Sequence, residues 1–364
     1  MTKNIYDVTV IGGGPAGLFS AFYAGLREMK TKIIDGQDKL GGKVHLYPQK
    51  MIWDIGGTEP LAAGKLIEKS IAQGLTFKPD VVLNTIVTNI QKENDEYFSV
   101  ETSTGDKHYS KSVIITIGGG GMIKPVKLNI ENAHLFEDKN LHYAVPDIKR
   151  FSDKKILITG GSYSAVDWAN DLSPIAREIH IIYRGDDLTA HEADVSRLQK
   201  NGVKVMTQSE VTGVSGGELM EYVEITNNQT GDITHNAYDE LIVNHGYDQE
   251  NLLFRENNLG LNLENDFFVK AAPTGLTNVP GIFAAGDCIR YTGKVNLIAG
   301  AYADAVNAVN NAKTYIDPKA DQFAMVSSHN QRFKNKKKNY VLIIRRLGNL
   351  YIKIFKSFLL LGLA

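Results

Sequence analysis

Residues 5–17 read IYDVTVIGGGPAG, an apolar run followed directly by a glycine-rich turn. The run is typical of a buried parallel strand, and the pattern from about Pro15 to Met29 predicts a helix. Residues 31–35, TKIID, predict a second strand. The chain therefore opens with a strand, a helix and a strand, an order typical of an α/β fold built on a parallel sheet.

The glycines of this turn, Gly12, Gly14 and Gly17, follow the GxGxxG spacing of a dinucleotide-binding motif. The first permits the tight turn, the second lets the backbone approach a pyrophosphate, and the third lets helix and strand pack closely. The helix that begins at Pro15 offers free N–H groups to phosphate oxygens. Asp35 ends the second strand 23 residues after Gly12, where an acid binds a ribose hydroxyl.

A second signal lies late in the chain. Residues 281–288, GIFAAGDC, predict a short strand that leads to Asp287, and residues 297–314 predict a long helix. An acid at this place can bind a ribityl chain, while the N-terminus of the helix can face a flavin ring. Together with the first motif this favours FAD; the alternative is that Asp287 only caps a helix.

The strand–turn–helix order returns 148 residues later, where a strand at 154–159 leads into GGSYSA at 160–165. We expect two Rossmann-like, three-layer ββα nucleotide-binding domains of the FAD/NAD(P)-binding type. The expected boundaries are 1–116 and 284–331 for a discontinuous FAD-binding domain, 117–283 for an NAD(P)H-binding domain, and 332–364 for a basic, apolar extension.

Charge is spread unevenly. Nine of the 40 lysines and arginines, and none of the 41 acids, lie in residues 332–364. The acidic remainder argues against nucleic acid as a partner. The lone cysteine, Cys288, excludes a CxxC redox pair, is expected to be a small buried side chain, and fits a cytoplasmic setting. We see no leader, no apolar run long enough to span a membrane and no metal-ligand cluster.

The extension at residues 339–364 reads NYVLIIRRLGNLYIKIFKSFLLLGLA. In a helix, Arg345, Asn349, Lys353 and Lys356 fall on one stripe of an otherwise apolar surface. Such a basic amphipathic helix suits an anionic membrane surface or a partner groove. The alternative is an extension without a role.

The motifs GGGPAGL, LGGKVHLYPQK, WDIGG, GGSYSAVDWA, VNHG, GIFAAGDC, KVNLIAGAYADAVNAVNNAKTYIDP and VSSH occur in this order. Over about residues 4–333 the chain resembles the ferredoxin/flavodoxin–NADP reductases of the thioredoxin-reductase-like group. This resemblance implies a homodimer of two-domain subunits that bind FAD and NADPH. It also implies a domain hinge, which we expect near residues 116–120 and 278–284.

The resemblance also implies roles for single residues in the FAD site. Asp35 binds the adenosine ribose, Tyr47 stacks on the isoalloxazine, Val87 contacts adenine through its backbone, and Asp287 holds the ribityl chain. Tyr47 as an ordinary core side chain and His329 as a surface side chain are the alternatives. The expected FAD-binding residues are Gly12, Gly14, Pro15, Gly17, Asp35, Gly42, Lys43, Tyr47, Val87, Ile123 (or Met122 beside it), Asp287, and Ser328 with His329 over the opposite flavin face.

The second glycine motif departs from the pattern of this group, because Ser162 replaces the glycine at the pyrophosphate and Tyr163 replaces a small residue. Arg184 ends the next strand, where a cation suits a 2′-phosphate and hence NADPH. Asp186 and Asp187 follow closely and oppose that phosphate, so weak or NADH-tolerant use and a non-functional site stay open. The expected NADPH-binding residues are Gly160, Ser162, Tyr163, Ser164, Ala165 and Arg184.

The activity that the resemblance implies is electron transfer between NADPH and ferredoxin or flavodoxin, with hydride passing to flavin N5 and single electrons passing on. The chemistry belongs to the cofactors, so no catalytic acid, base or nucleophile is expected. Thioredoxin reduction is excluded because the dithiol is missing. The alternative function is an FAD-binding redox sensor or scaffold with an impaired nicotinamide site.

Overall fold

The computed structural model describes residues 3–93, 96–120, 124–145, 147–247, 252–256, 258–323 and 325–333. The earlier elements in chain order are β1 (Ile5–Ile11), α1 (Pro15–Leu26), β2 (Thr31–Ile34), β3 (Met51–Ile52), β4 (Leu61–Ala62), α2 (Ala63–Gly74), β5 (Asp80–Val82), β6 (Val87–Lys92), β7 (Phe98–Thr102), β8 (Lys107–Ile115), β9 (Leu141–His142), β10 (Lys155–Thr159) and α3 (Tyr163–Leu172). The later elements are β11 (Glu178–Ile182), α4 (Glu192–Lys200), β12 (Lys204–Met206), β13 (Ser209–Gly216), β14 (Met220–Asn227), β15 (Ile233–Ala237), β16 (Glu240–Val243), α5 (Leu252–Glu256), β17 (Leu263–Glu264), β18 (Phe268–Lys270), β19 (Ile282–Ala284), β20 (Ile289–Arg290) and α6 (Ile298–Ile316).

The first sheet has the strand order β5-β2-β1-β8-β7-β6, and β19 also pairs with β8. Strands β5, β2, β1, β8 and β19 are parallel, while β6 and β7 extend the sheet as an antiparallel hairpin. Helices α1, α2 and α6 pack together over this sheet, with Leu18, Ile67 and Val309 in one buried cluster. Helix α1 ends at Leu26, earlier than the pattern predicts, because Glu28 takes a left-handed backbone conformation (φ 59°).

The second sheet is parallel, with the order β12-β11-β10-β16-β9. Helix α3 follows β10 and packs on β10 and β11, and an antiparallel sheet of β13, β14 and β15 covers the other side. The chain thus contains the two predicted Rossmann-like units, each with parallel strands, with helices on one face and with an antiparallel addition, which is a hairpin in the first sheet and a separate sheet in the second unit.

Residues 252–283 pack with the first unit, whereas the sequence prediction assigns them to the second. Leu261 and Val269 lie in the same buried cluster as Ile34 and Val100 of the first sheet. The reason is that β19 pairs with β8, so the segments on either side of β19 in the chain must close over the first sheet. We propose 3–120 with 252–333 as the first domain and 124–247 as the second.

The chain therefore leaves the first domain after residue 120 and returns to it between Tyr247 and Leu252. The hinge expected at 278–284 falls instead on β19, inside the first sheet. The last described residues pack on the first domain too: Phe333 contacts the rings of Phe22 and Phe77. Residues 334–364, with the predicted amphipathic helix, lie outside the described residues.

We expect Val269→Ala to lower the free energy of unfolding of the first domain by about 2 kcal/mol, because Val269 is fully buried in its core. FAD release during urea unfolding should follow this loss. Val223→Ala makes the same change at an equally buried position of the second domain. If Val269 belonged to the second domain, both variants would release FAD at the urea concentration of the unmodified chain.

Candidate cofactor sites

A cavity of about 400 Å³ opens beyond the carboxyl ends of β1 and β2, where ligands bind in open α/β sheets. Its floor is the turn between β1 and α1. Nine of the predicted FAD-binding residues line it: Gly12, Gly14, Pro15, Asp35, Gly42, Lys43, Tyr47, Val87 and Asp287.

The glycine turn below the cavity has the geometry that its spacing predicts. Gly12 has φ 102°, and a Cβ there would lie 2.5 Å from the carbonyl oxygen of Thr116. A Cβ on Gly17 would lie 1.8 Å from the Gly12 oxygen, so helix and strand pack too closely for any side chain. At Gly14 the nearest atom would be the Cα of Gly42, at 3.9 Å. The space beside Gly14 therefore fits a pyrophosphate.

Asp35 is fixed at the end of β2 by the backbone. Its Oδ2 accepts from the Gly13 N–H and its Oδ1 accepts from the Gln37 N–H at 2.8 Å. Burial raises the pKa of this carboxyl, while the two backbone donors lower it. The group is thus a positioned acceptor on the cavity wall, as required for a ribose hydroxyl.

The other end of the cavity gathers charged and aromatic groups. Burial lowers the pKa of Lys43, and the nearby Asp287 carboxylate counteracts that shift. Burial raises the pKa of Tyr47, with smaller contributions from the charges of Asp287 and Asp54. These neighbours place Tyr47 and Lys43 around Asp287, where the resemblance implies the flavin and its ribityl chain.

Below Asp287 lies a buried ion pair that the sequence prediction missed. Lys294 and Asp304 have side chains that are both 4% exposed, with Nζ and Oδ2 2.9 Å apart. Oδ2 of Asp304 also accepts from the Gly286 N–H at 3.1 Å, and Oδ1 accepts from the Tyr291 hydroxyl at 3.2 Å. Asp304 on α6 thereby holds the Gly286–Asp287 turn against the cavity.

Ser328 and His329 are exposed and lie away from the cavity of their own chain. The next residue, Asn330, donates to the Leu26 carbonyl, and Arg332 donates to the Gly25 carbonyl. These carbonyls belong to the C-terminal end of α1, whereas the cavity lies at its N-terminus, about 18 Å away along twelve residues. Ile123 and Met122 lie outside the described residues.

The second glycine turn repeats the first in geometry. Gly160 has φ 137°, and a Cβ there would lie 2.4 Å from the carbonyl oxygen of Asn244. Ser164 donates to the Asn244 Oδ1 at 3.2 Å, while the buried Asn244 Nδ2 has no acceptor among the described residues. This orphaned donor beside the turn fits a ligand oxygen, which supports a phosphate-bearing ligand there.

Ser162 and Tyr163, the two departures from the expected motif, leave this turn open. Ser162 is the N-cap of α3 and its hydroxyl makes no capping hydrogen bond. Tyr163 is 52% exposed and packs edge-on against the ring of His191, 5.0 Å away between centroids. The Tyr163 ring thus packs on the residue that precedes α4, and Ala165 is buried under the turn as a small residue should be.

Arg184 lies two residues beyond the end of β11, at the carboxyl edge of the second sheet. Its charge helps to lower the pKa of His245, although burial is the larger cause. Arg184 and His245 therefore lie near each other beside the turn. Asp186, which was expected to oppose a 2′-phosphate, accepts a hydrogen bond from the Gln208 side chain.

The sequence assigned no role to several residues that line the cavity. Asp54, Asn296 and Leu297 line the cavity, as do Thr116 and Leu252. Asp54 lies in the WDIGG stretch and the Asn–Leu pair precedes α6, so their motifs marked them without giving a role. The sequence could not predict that Leu252 lines the cavity, because this depends on how residues 252–283 pack against the first domain.

Cys288 is a buried hydrophobic residue, as predicted. Burial raises the pKa of its thiol to about 12, and Sγ lies 3.3 Å from the carbonyl oxygens of Ile115 and Ala285. The group stays protonated at physiological pH and cannot act as a nucleophilic thiolate. No cluster of metal-ligating side chains occurs in the described part of the chain.

Two dinucleotide turns on two parallel sheets, with a deep cavity above the first, define a flavin-dependent pyridine nucleotide oxidoreductase. Comparison with known proteins agrees, since the family model of the pyridine nucleotide-disulphide oxidoreductases matches residues 6–312. The chain belongs to this family. The ferredoxin–NADP reductases and thioredoxin-reductase-like proteins of the family use FAD and NADPH. The predicted fold and cofactors are thereby confirmed.

Closely related sequences narrow the group. A protein named ferredoxin–NADP reductase 1 from Bacillus mycoides (strain KBAB4) is 47% identical over 342 residues, which cover 93% of this chain and 98% of that protein. A protein of the same name from Oceanobacillus iheyensis is 48% identical over 336 residues, 92% of this chain and 96% of that protein. The resemblance found in the motifs is confirmed.

Solved structures share the fold. Lactococcus lactis thioredoxin reductase in its FR conformation matches with a TM-score of 0.72 and 26% identity, covering 85% of this chain and 99% of that one. The T. acidophilum thioredoxin reductase matches with a TM-score of 0.71 and 22% identity, covering 86% of this chain and 99% of that one. The described helices of this chain include none that is long and apolar enough to cross a bilayer.

Gly14→Val should give a folded but colourless protein. Gly14 has extended backbone angles that valine tolerates, so the new side chain only fills the space for the pyrophosphate. We expect FAD affinity to fall on the order of a hundredfold, equivalent to about 3 kcal/mol, measured by fluorescence titration. Gly17→Ala is the contrasting variant, because its Cβ would meet backbone and should lower the melting temperature as well. Retention of stoichiometric FAD by Gly14→Val would contradict the site.

Proposed function

We propose that the chain carries electrons from NADPH through FAD to a ferredoxin or flavodoxin. The observation that carries this proposal is the pairing of the flavin cavity with a second, separate dinucleotide turn, beside which Arg184 follows the next strand, β11. The inert thiol of Cys288 supports an acceptor that takes electrons from the flavin itself. The names of the two relatives, ferredoxin–NADP reductase, support ferredoxin as that acceptor.

When bound, FAD would supply the chemistry of hydride acceptance and single-electron release. The residues of the chain would bind and orient it. Gly14 and the α1 N-terminus would hold the pyrophosphate, Asp35 the ribose and Asp287 the ribityl chain. Tyr47 would cover one face of the flavin and would keep water from it.

Anaerobic mixing of the yellow protein with NADPH, and separately with NADH, tests this function. We expect fast bleaching of the flavin band by NADPH, and reduction of added ferredoxin by the bleached protein. FAD that no nicotinamide nucleotide bleaches would instead identify a flavin-binding sensor or scaffold. Bleaching without reduction of ferredoxin or flavodoxin would reject the acceptor but keep the first half-reaction.

Arg184→Ala should lower kcat/KM for NADPH on the order of 10- to 100-fold, because a charge-assisted contact to the 2′-phosphate is worth about 1.5–3 kcal/mol. The value for NADH should hardly change. Arg177→Ala is the matched control, since Arg177 precedes β11 at the opposite edge of the sheet and pairs with Asp239. Equal losses with both nucleotides would remove Arg184 from 2′-phosphate recognition.

We place Ser328 and His329 over the flavin of a second copy of the chain. Their positions at the far end of α1 keep them from their own flavin, and the neighbouring Phe323, Met325 and Val326 are exposed and apolar. A homodimer gives both features a role. Light scattering should return twice the mass of the chain, and removal of residues 326–364 should expose the flavin to solvent quenchers.

The cellular setting is proposed from chemistry alone. A single buried thiol and a reductase that depends on NADPH fit the reducing cytoplasm. Contact of residues 339–364 with an anionic membrane surface stays a prediction from sequence. Deletion of these residues should abolish partition onto phosphatidylglycerol vesicles if the prediction is right, and should change nothing if the extension has no role.

A further inference from the structure

Lys50 joins the two domains through contacts that the cofactors do not explain. It follows the flavin-covering Tyr47 by three residues and belongs to the first domain, where its carbonyl accepts from the Ala63 N–H at 2.8 Å. Its ammonium group pairs with Asp167 and with Asp171, the latter at 3.0 Å, on α3 of the second domain. It also lies 4.3 Å from the ring centre of Trp168.

The same loop makes further contacts with the second domain. The Gln49 side chain accepts from the Ile148 N–H at 2.9 Å and donates to the Asp147 carboxylate at 3.3 Å. Tyr47 itself packs against the buried clusters of both domains. The Lys50 side chain is only 17% exposed, so this contact is shielded compared with an ordinary surface pair.

Without the lysine, the two acids on α3 would lose their counter-charge. Asp167 and Asp171 are one helical turn apart on α3 and carry like charges, which destabilise a helix face when no cation lies between them. Only Lys50 pairs with them among the described residues. A neutral residue at position 50 therefore removes an attraction and leaves two acids facing the first domain.

Helix α3 is also the helix whose N-terminus carries the NADPH turn. Asp167 and Asp171 lie four and eight residues after Tyr163, along one rigid helix. Lys50 thus fixes the helix that positions NADPH relative to the loop that covers the flavin. Hydride transfer requires reacting atoms about 3–3.5 Å apart, so the relative placement of these two elements limits its rate.

We propose that Lys50 is a positioning residue for hydride transfer: its clasp on Asp167, Trp168 and Asp171 aligns the NADPH-binding domain with the flavin. The proposal rests on the proposed function, since it presumes that NADPH reduces the bound FAD. Lys50 itself touches neither cofactor in this role.

The test uses the full-length, FAD-loaded protein and anaerobic stopped-flow bleaching by NADPH. Lys50→Met should lower the limiting rate at saturating NADPH on the order of tenfold, with the Kd for NADPH unchanged within about twofold. Lys50→Arg should restore most of the rate. Asp167→Asn with Asp171→Asn should reproduce the loss from the other domain. Lys65→Met, which breaks an exposed pair with Glu68 on α2, is the matched control and should have no effect.

A second readout separates positioning from other causes. Spin labels on Lys69→Cys of α2 and Gln199→Cys of α4 report the distance between the domains, because the native Cys288 is buried and does not label. We expect one narrow distance distribution with Lys50 present and a broad one in Lys50→Met. Added salt should broaden the distance distribution of the protein with Lys50 toward that of Lys50→Met, since salt screens ion pairs.

Two outcomes overturn the proposal. An unchanged or faster limiting rate in Lys50→Met would mean that the clasp does not align the domains for transfer. A slower rate with an unchanged distance distribution would place the effect elsewhere. Failure of the unmodified protein to bleach with NADPH would instead reject the proposed function, and the distance measurement would then stand on its own.

Discussion

Close backbone contact between a glycine turn and the neighbouring strand governs both halves of the molecule. In the first domain, Gly12 is pressed against the carbonyl of Thr116, the residue that follows β8. In the second, Gly160 is pressed against the carbonyl of Asn244, the residue that follows β16. In each case the parallel strand beside the first strand ends where the turn between that first strand and its helix begins. Neither Gly12 nor Gly160 could carry a side chain without moving that strand.

The two turns differ in how their polar groups are satisfied. The Thr116 hydroxyl donates within the protein, to the Ile11 and Gly12 carbonyls at 2.8 Å. The amide nitrogen of Asn244 has no partner among the described residues. The polar groups of the first turn are therefore satisfied within the protein. The second turn keeps an unsatisfied side-chain donor, Asn244 Nδ2, beside Gly160.

Local patterns predicted what local forces decide. The strand at 5–11, the turn with Gly12 and the acid at Asp35 follow from residue type and spacing within 35 residues, and all three lie where expected. Residues 252–283 were misplaced because their position depends on the pairing of β19 with β8, about 170 residues earlier in the chain. The buried pair of Lys294 and Asp304 could not be predicted either, since each residue alone is typical of a surface.

Residues 41–50 connect the first glycine turn, the flavin cavity and helix α3. The start of this stretch is held to the first glycine turn, where the Gly41 N–H donates to the Gly13 carbonyl at 2.9 Å. Lys43 and Tyr47 then line the flavin cavity, and the stretch ends at Lys50, which pairs with Asp171 of α3. Only six residues separate Lys43 from Lys50, so a shift of the second domain would be transmitted to Tyr47 through a short loop. Tyr47, which packs against the buried clusters of both domains, is therefore in a position to respond to movement of the second domain.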